Sequence, residues 1–151
     1  MAHSPIPSRM AVAGHPIHPM LIHFPVAALM ALVGTDVAFI FTGDVFWARA
    51  GLWLAGVGAF GGWFAGLIGL VDLLTVAKIR RLLTASSHAI VAVMLLSAAS
   101  CNWLLRYNDL TGWVQPWGLG VSLVTALLIA LAGILGGQLV YEHGVGVDTE
   151  S

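Results

Sequence analysis

Four long apolar stretches, separated by short polar segments, dominate the pattern of this chain of 151 residues. The first runs from Leu21 to Phe41 and, as a helix rising about 1.5 Å per residue, measures about 32 Å. A helix of that length crosses a hydrocarbon core of about 30 Å, and the other three stretches are of comparable length. The pattern therefore predicts four membrane-spanning helices. Their expected bounds are about 21–41, 50–71, 87–105 and 117–141.

The composition indicates the same class of protein. Hydrophobic residues make up 59% of the chain and charged residues 9%, whereas soluble domains carry roughly 25% charged residues. We predict an all-α integral membrane four-helix bundle in one domain, residues 14–144. A flexible N-terminal tail, residues 1–13, precedes it, and a C-terminal tail, residues 145–151, follows. The lipid bilayer is the implied partner, and a net charge of −1 argues against nucleic acid, because no basic surface could neutralise phosphates.

Glycines recur at intervals of four within two of the apolar stretches. Gly58, Gly62 and Gly66 lie in the second, and Gly133 and Gly137 lie in the fourth. Small residues at this spacing let membrane helices approach each other closely. We interpret these glycines as helix-packing positions rather than as part of a ligand site.

The segment between the second and third predicted helices is mixed in character. From Leu73 to Leu83, the basic residues Lys78, Arg80 and Arg81 stand among aliphatic side chains. This mixture predicts a short amphipathic segment lying on the membrane surface.

Lysine and arginine are distributed unequally between the two sides of the predicted bundle. With four spans, the N-terminus, the 72–86 loop and the C-terminus share one side. That side carries Arg9, Lys78, Arg80 and Arg81, and the other side carries Arg49 and Arg106. Cytoplasmic loops are enriched in such residues, so the distribution predicts that both termini are cytoplasmic.

A segment rich in histidine and proline precedes the first apolar stretch. It contains His15, His18 and His23, interleaved with prolines. A residue that precedes proline is biased away from helical backbone, so we expect His15 and His18 on a stiff, non-helical lead-in. His23 is expected near the start of the first helix.

The predicted topology gathers histidines on one side of the membrane. The ligand pool there comprises His15, His18, His23, His88, His143 and Asp72. Imidazole is the commonest metal ligand, and an ionisable group within a membrane span indicates a functional site. His23 and His88 start their helices at matched depth, so we expect them to face each other across a shared ligand. His3, in the tail, is given no role.

A smaller polar set lies toward the opposite side. Asp36 falls on the first helix, and Asn102 and Arg106 fall four residues apart on the third. A charge at that depth needs a partner. We predict a structural ion pair between Asp36 and Arg106, with Arg49 as the competing partner.

Four motifs along the chain resemble those of a bacterial membrane family, domain of unknown function 2231. They are GHPIHPMLIHFP at 14–25, GLVDLL at 69–74, the arginine pair followed by His88, and GGQLVYEHGVGV at 136–147. The resemblance implies a four-helix, multi-pass protein of the bacterial inner membrane, without a settled activity. Members of this family can be joined to Rieske or cytochrome domains, which implies an association with electron transfer.

The leading functional hypothesis is a b-type haem bound by His23 and His88 for membrane electron transfer. A single haem near one face would exchange electrons with a quinone or with a redox partner in another subunit. Two alternatives stay open. One is a non-haem site for Zn, Fe or Cu built from the wider ligand pool. The other is a cofactor-free accessory or structural subunit of a larger respiratory or photosynthetic membrane complex.

Catalytic residues are not assigned from the sequence. Cys101 is the single cysteine, which excludes an internal disulfide, a CxxC redox pair and a CxxCH haem attachment. No serine or cysteine has a base beside it in sequence, so a nucleophilic triad is not indicated.

Overall fold

The computed structural model describes residues 5–147. Within them, four helices are long and apolar enough to cross a membrane, which confirms the predicted all-α membrane bundle. The long helices are α1 (Ile17–Thr42), α2 (Val45–Thr75), α4 (Leu83–Asn108) and α5 (Leu119–Tyr141). The short elements are β1 (Ala11–Val12), β2 (His15–Pro16), the single turn α3 (Ala77–Arg80) and a π-helical turn (Val114–Gly118) directly before α5.

Helix α1 begins four residues before the predicted start, and this changes the position of His18. Pro19 falls in the first helical turn, where a missing N–H costs nothing because that group has no helical partner. His18 is therefore helical, whereas His15 lies in β2, antiparallel to β1. The predicted non-helical lead-in thus ends at Pro16.

Both ends of the connection between α1 and α2 are capped. Gly43 follows α1 with φ 67°, in the left-handed region that favours glycine. Asp44 precedes α2 and its side chain accepts a hydrogen bond from the Phe46 N–H at 2.9 Å. The two helices consequently form a tight hairpin.

The predicted amphipathic segment is divided between two elements. Its first residues complete α2, and the remainder forms α3 and the approach to α4. Ile79 is buried, while Lys78, Arg80 and Arg81 are exposed. The segment is therefore amphipathic, as its sequence indicates, with a buried apolar side and an exposed basic side.

The four long helices form a ring of neighbours. α1 packs against α2 and α5, and α4 packs against the same two helices. α1 is thus diagonal to α4, and α2 is diagonal to α5. The central core consists of Leu29, Leu32, Ala55, Ala59, Leu95, Leu96 and Ala99.

Glycines of α2 lie where neighbouring helices approach most closely. The side chain of Leu29 occupies the space that a Cβ at Gly58 would need, and the side chain of Leu96 occupies the space that a Cβ at Gly62 would need. On α5, by contrast, a Cβ at Gly133 would meet nothing within 4 Å. The predicted packing role therefore applies to Gly58 and Gly62, whereas at Gly66 a Cβ would make an ordinary contact with Leu96. It does not apply to Gly133 or to Gly137, where a Cβ would meet only Tyr141 of the same helix, at 3.9 Å.

Part of the predicted flexible tail, residues 5–13, packs onto the end of the bundle. Ile6 is buried, and its N–H donates to the Gly144 carbonyl at 3.0 Å. The Gly146 N–H donates to the Ile6 carbonyl at 2.9 Å. Residues before α1 and after α5 are thereby joined. His3 lies outside the described residues.

Asp72 anchors the same segment. Its carboxylate accepts hydrogen bonds from the Arg9 N–H at 2.7 Å, the Met10 N–H at 3.0 Å and the Ser8 hydroxyl. These three donors engage both carboxylate oxygens. Asp72, predicted as a metal ligand, therefore serves here as an acceptor for backbone and hydroxyl groups.

Candidate functional site

Two histidines meet across the diagonal of the bundle. His18 of α1 and His88 of α4 have ring centroids 6.3 Å apart, with the ring planes at 87°. His18 Nδ1 lies 2.8 Å from the carbonyl oxygen of Ala65 on α2. His88 Nδ1 lies 3.0 Å from the carbonyl oxygen of Ala132 on α5. All four long helices thus contribute to this pair.

The hydrogen bonds fix the tautomer of both rings. A carbonyl oxygen can only accept, so each Nδ1 must carry the proton that it donates. In a neutral imidazole this leaves Nε2 unprotonated, with its lone pair available. Protein histidines that bind metals show the same arrangement, in which the second ring nitrogen donates to a carbonyl or carboxylate. Each ring of the pair therefore presents a nitrogen of the kind that can coordinate a metal ion.

A glycine lies beside each histidine ring. A Cβ added at Gly69 would be 3.0 Å from His18 Nδ1, and one at Gly136 would be 3.5 Å from His88 Cε1. At Gly69 the absence of a side chain lets His18 lie against α2 within reach of its carbonyl, whereas at Gly136 a Cβ would make an ordinary van der Waals contact with His88.

The partner of His88 differs from the one predicted. His23 is exposed on the outer surface of α1, and His18 occupies the interior position instead. Five residues separate these two histidines, which is about 140° around a helix at 3.6 residues per turn. They therefore lie on different faces of α1, and matched depth alone could not identify the inward one.

The wider ligand pool is dispersed. His15 is exposed, with Nδ1 2.9 Å from the Ala13 carbonyl oxygen, and His143 Nε2 lies 3.4 Å from the Thr84 hydroxyl. Asp72 binds the N-terminal segment. Among residues 5–147, no three or more His, Cys, Asp or Glu side chains are placed to hold a metal ion together.

A second buried polar cluster lies toward the other end of the bundle. The structure brings the predicted pair together: Arg106 donates from both terminal nitrogens to the two oxygens of Asp36, each at 2.7 Å. The side chains are 0% and 1% exposed, respectively. Arg49, the competing partner, is exposed. A bidentate, fully buried pair is the strong form of this interaction.

Neighbouring polar groups complete the hydrogen bonding of this ion pair. Asn102 accepts from Arg106 Nε at 2.9 Å and from the Trp113 indole N–H at 3.1 Å. The Ser122 hydroxyl lies 2.7 Å from Asp36 Oδ2 and accepts from the Asn102 amide at 3.0 Å. Within the described chain, no buried side-chain N or O atom is left without a partner. The cluster is closed and charge-balanced, as a structural clamp should be.

Sequence reasoning missed Ser122 and Trp113 as members of this cluster. Ser122 is a polar residue inside an apolar helix, which is a usable signal because such residues often bond across membrane helices. Trp113 lies in the loop before α5, and only the folded chain shows where its indole points.

A family model described as "Predicted membrane protein (DUF2231)" matches residues 14–149. The chain belongs to this family. The DUF2231 match spans all four long helices, and it includes both the histidine pair and the Asp36–Arg106 clamp. No curated protein and no solved structure matches the chain.

Proposed function

We propose that His18 and His88 would hold a b-type haem and that the protein takes part in electron transfer within the membrane. The observation that carries the proposal is the pair of inward imidazoles, each held in the tautomer that leaves Nε2 free. Haem iron takes axial ligands of this type.

The number of ligands favours haem over a small metal ion. Structural zinc sites use four protein ligands and catalytic ones three, but only two side chains meet here among residues 5–147. A porphyrin supplies four nitrogens itself and needs only two axial ligands. A non-haem Zn, Fe or Cu ion would require a third ligand from water or another molecule.

The spacing of the rings also supports one shared ligand. A metal–imidazole bond is about 2 Å, so two imidazoles that hold one ion between them would have to lie close together. The observed separation of the centroids is 6.3 Å.

The residues of the chain would orient the cofactor, and the haem would supply the one-electron chemistry. The carbonyls of Ala65 and Ala132 would hold the imidazoles through Nδ1 and leave Nε2 free. One such pair serves one haem, so electrons would pass to a quinone or to a redox partner in a neighbouring subunit.

Absorption spectra of the purified protein, oxidised and dithionite-reduced, test this function. We expect a Soret band and a sharpened α-band on reduction. His18→Ala and His88→Ala should each reduce bound haem by at least about tenfold, because each removes an axial ligand. His23→Ala is the matched control on the same helix, and it should bind haem as the unmodified protein does.

Other results would select the alternatives. Bound metal by elemental analysis without a Soret band would favour a non-haem site. Neither haem nor metal in protein produced with an adequate supply of both would favour the accessory-subunit role.

We further propose that the protein lies in the bacterial inner membrane with both termini cytoplasmic. The excess of lysine and arginine on the side of the termini supports this orientation. Reporter fusions after residue 44 and after residue 110 should both report a periplasmic location. A cytoplasmic signal at either position would contradict this orientation and would place the histidine pair toward the opposite face of the membrane.

A further inference from the structure

Both residue pairs that meet on the diagonal have the same separation in sequence. Asp36 and Arg106 are 70 positions apart, and His18 and His88 are also 70 positions apart. In both cases the first residue belongs to α1 and the second to α4. The two helices therefore place corresponding positions opposite each other at two depths.

Helices α2 and α5 correspond in the same way, with an offset of 67 positions. Ala65-Gly66-Leu67-Ile68-Gly69 on α2 matches Ala132-Gly133-Ile134-Leu135-Gly136 on α5. The alanine that opens each motif accepts the hydrogen bond of a histidine, and the glycine that closes it lies beside the same ring.

The correspondence continues at the clamp. Gly51 and Gly118 are again 67 positions apart. A Cβ at either would lie 3.1 Å from a terminal nitrogen of Arg106. Buried positions also coincide along the helices, at Pro25 and Leu95, Leu29 and Ala99, Leu32 and Asn102, Ala55 and Ser122, and Gly58 and Thr125.

We propose that the protein consists of two copies of one helical hairpin, α1–α2 and α4–α5, related by a twofold pseudo-axis along the bundle, and that each copy supplies an equivalent ligand module. The module comprises a histidine on the first helix, with an alanine carbonyl and a glycine on the second. Two residues that a twofold axis relates can contact each other only where both lie close to that axis. The contact between His18 and His88 therefore places this pair at the pseudo-axis.

This arrangement makes Gly69 a positioning residue, with Gly136 as its counterpart in the second module. Gly69 acts through His18 by leaving room for the ring beside the carbonyl that fixes its tautomer, whereas an added Cβ at Gly136 would make only an ordinary van der Waals contact with His88. The site then presents two equivalent imidazoles from opposite hairpins, which suits a ligand that is bound from two sides. Only the ligand-binding part rests on the proposed function; the equivalence of the two modules does not.

Nitrogen-15 NMR of the histidine side chains in the full chain, in detergent and without haem, tests the equivalence directly. Signals are assigned by their loss in His18→Ala and His88→Ala. We expect each ring to carry a proton on Nδ1, which donates to its alanine carbonyl. Gly69→Ala should shift the His18 signals, because the new Cβ would be 3.0 Å from Nδ1.

A second variant and a control complete the test. Gly136→Ala should shift the His88 signals by a smaller amount, since its Cβ would be 3.5 Å from the ring. Gly133→Ala, with open space around it, should shift neither. A ring that carries its proton on Nε2 instead of Nδ1, or a Gly69→Ala variant that leaves the His18 signals unchanged, would overturn the equivalence. If these results hold but no haem binds, the proposed function fails and the two-module structure stands.

Discussion

Removing either partner of the Asp36–Arg106 pair is expected to destabilise the protein by about 3–5 kcal/mol. Each single change, Asp36→Ala or Arg106→Ala, leaves the opposite charge buried without its counter-ion. Both side chains are at most 1% exposed, so water cannot compensate. Unfolding of the purified protein by heat or denaturant in a fixed detergent measures the loss.

The double variant Asp36→Ala/Arg106→Ala shows whether the two residues stabilise the protein through their mutual interaction or independently. With both charges removed, no unpaired ion remains, so the loss should be smaller than the sum of the two single losses. Contacting partners typically show coupling of about 0.5–3 kcal/mol. Arg49→Ala is the control, because this arginine is exposed and should change stability little. Additive losses would mean that the two residues do not interact.

Replacing Gly62 with leucine is expected to disrupt the contact between α2 and α4. The space that a Cβ would need at this position is already filled by Leu96. Overpacking of a well-packed core typically costs about 1–3 kcal/mol and sometimes more, and membrane helices depend on small residues for close approach. The same unfolding assay should therefore show a large loss of stability.

Gly133→Leu is the matched control for this change. It places the same side chain on a membrane helix at a position with nothing within 4 Å of an added Cβ. We expect it to fold with nearly unchanged stability. Equal losses in the two variants would show that the effect of Gly62→Leu comes from glycine itself and not from the packing of α2 against α4.

The sequence predicts the helices and the Asp36–Arg106 clamp well because both follow from the free-energy cost of placing polar and charged groups in lipid. Apolar length determines the spans, and a lone charge such as Asp36 must find an opposite one. Arg106 and Arg49 were the two candidate cations, so the pair could be predicted without knowing which helices are neighbours, and the burial of Arg106 decides between them.

The histidine pair could not be derived from depth in the same way. Whether His18 or His23 faces inward depends on the rotation of α1, and α1 is nearly uniformly apolar around its circumference. Such a helix carries no periodic signal that identifies its inner face. The available signal was the separation of the Asp36–Arg106 pair, 70 positions, which His18 and His88 share and which His23 and His88, 65 positions apart, do not.

The packed N-terminal segment was also hidden from the sequence. Residues 5–13 have neither helical periodicity nor an apolar run, so composition indicates a tail. Their attachment depends on Asp72, which lies about 60 residues away, and on Gly144 and Gly146 beyond α5. Long-range hydrogen bonds of this kind leave no local pattern.

The charges of the clamp have a consequence for which hairpins can pair with each other. Asp36 and Arg106 occupy equivalent positions beside the pseudo-axis. If α1–α2 paired with a second copy of itself, two Asp36 carboxylates would meet in the interior. If α4–α5 did so, two Arg106 guanidiniums would meet. Like charges in a medium of low dielectric constant repel strongly, so only unlike hairpins combine, although their ligand modules are alike.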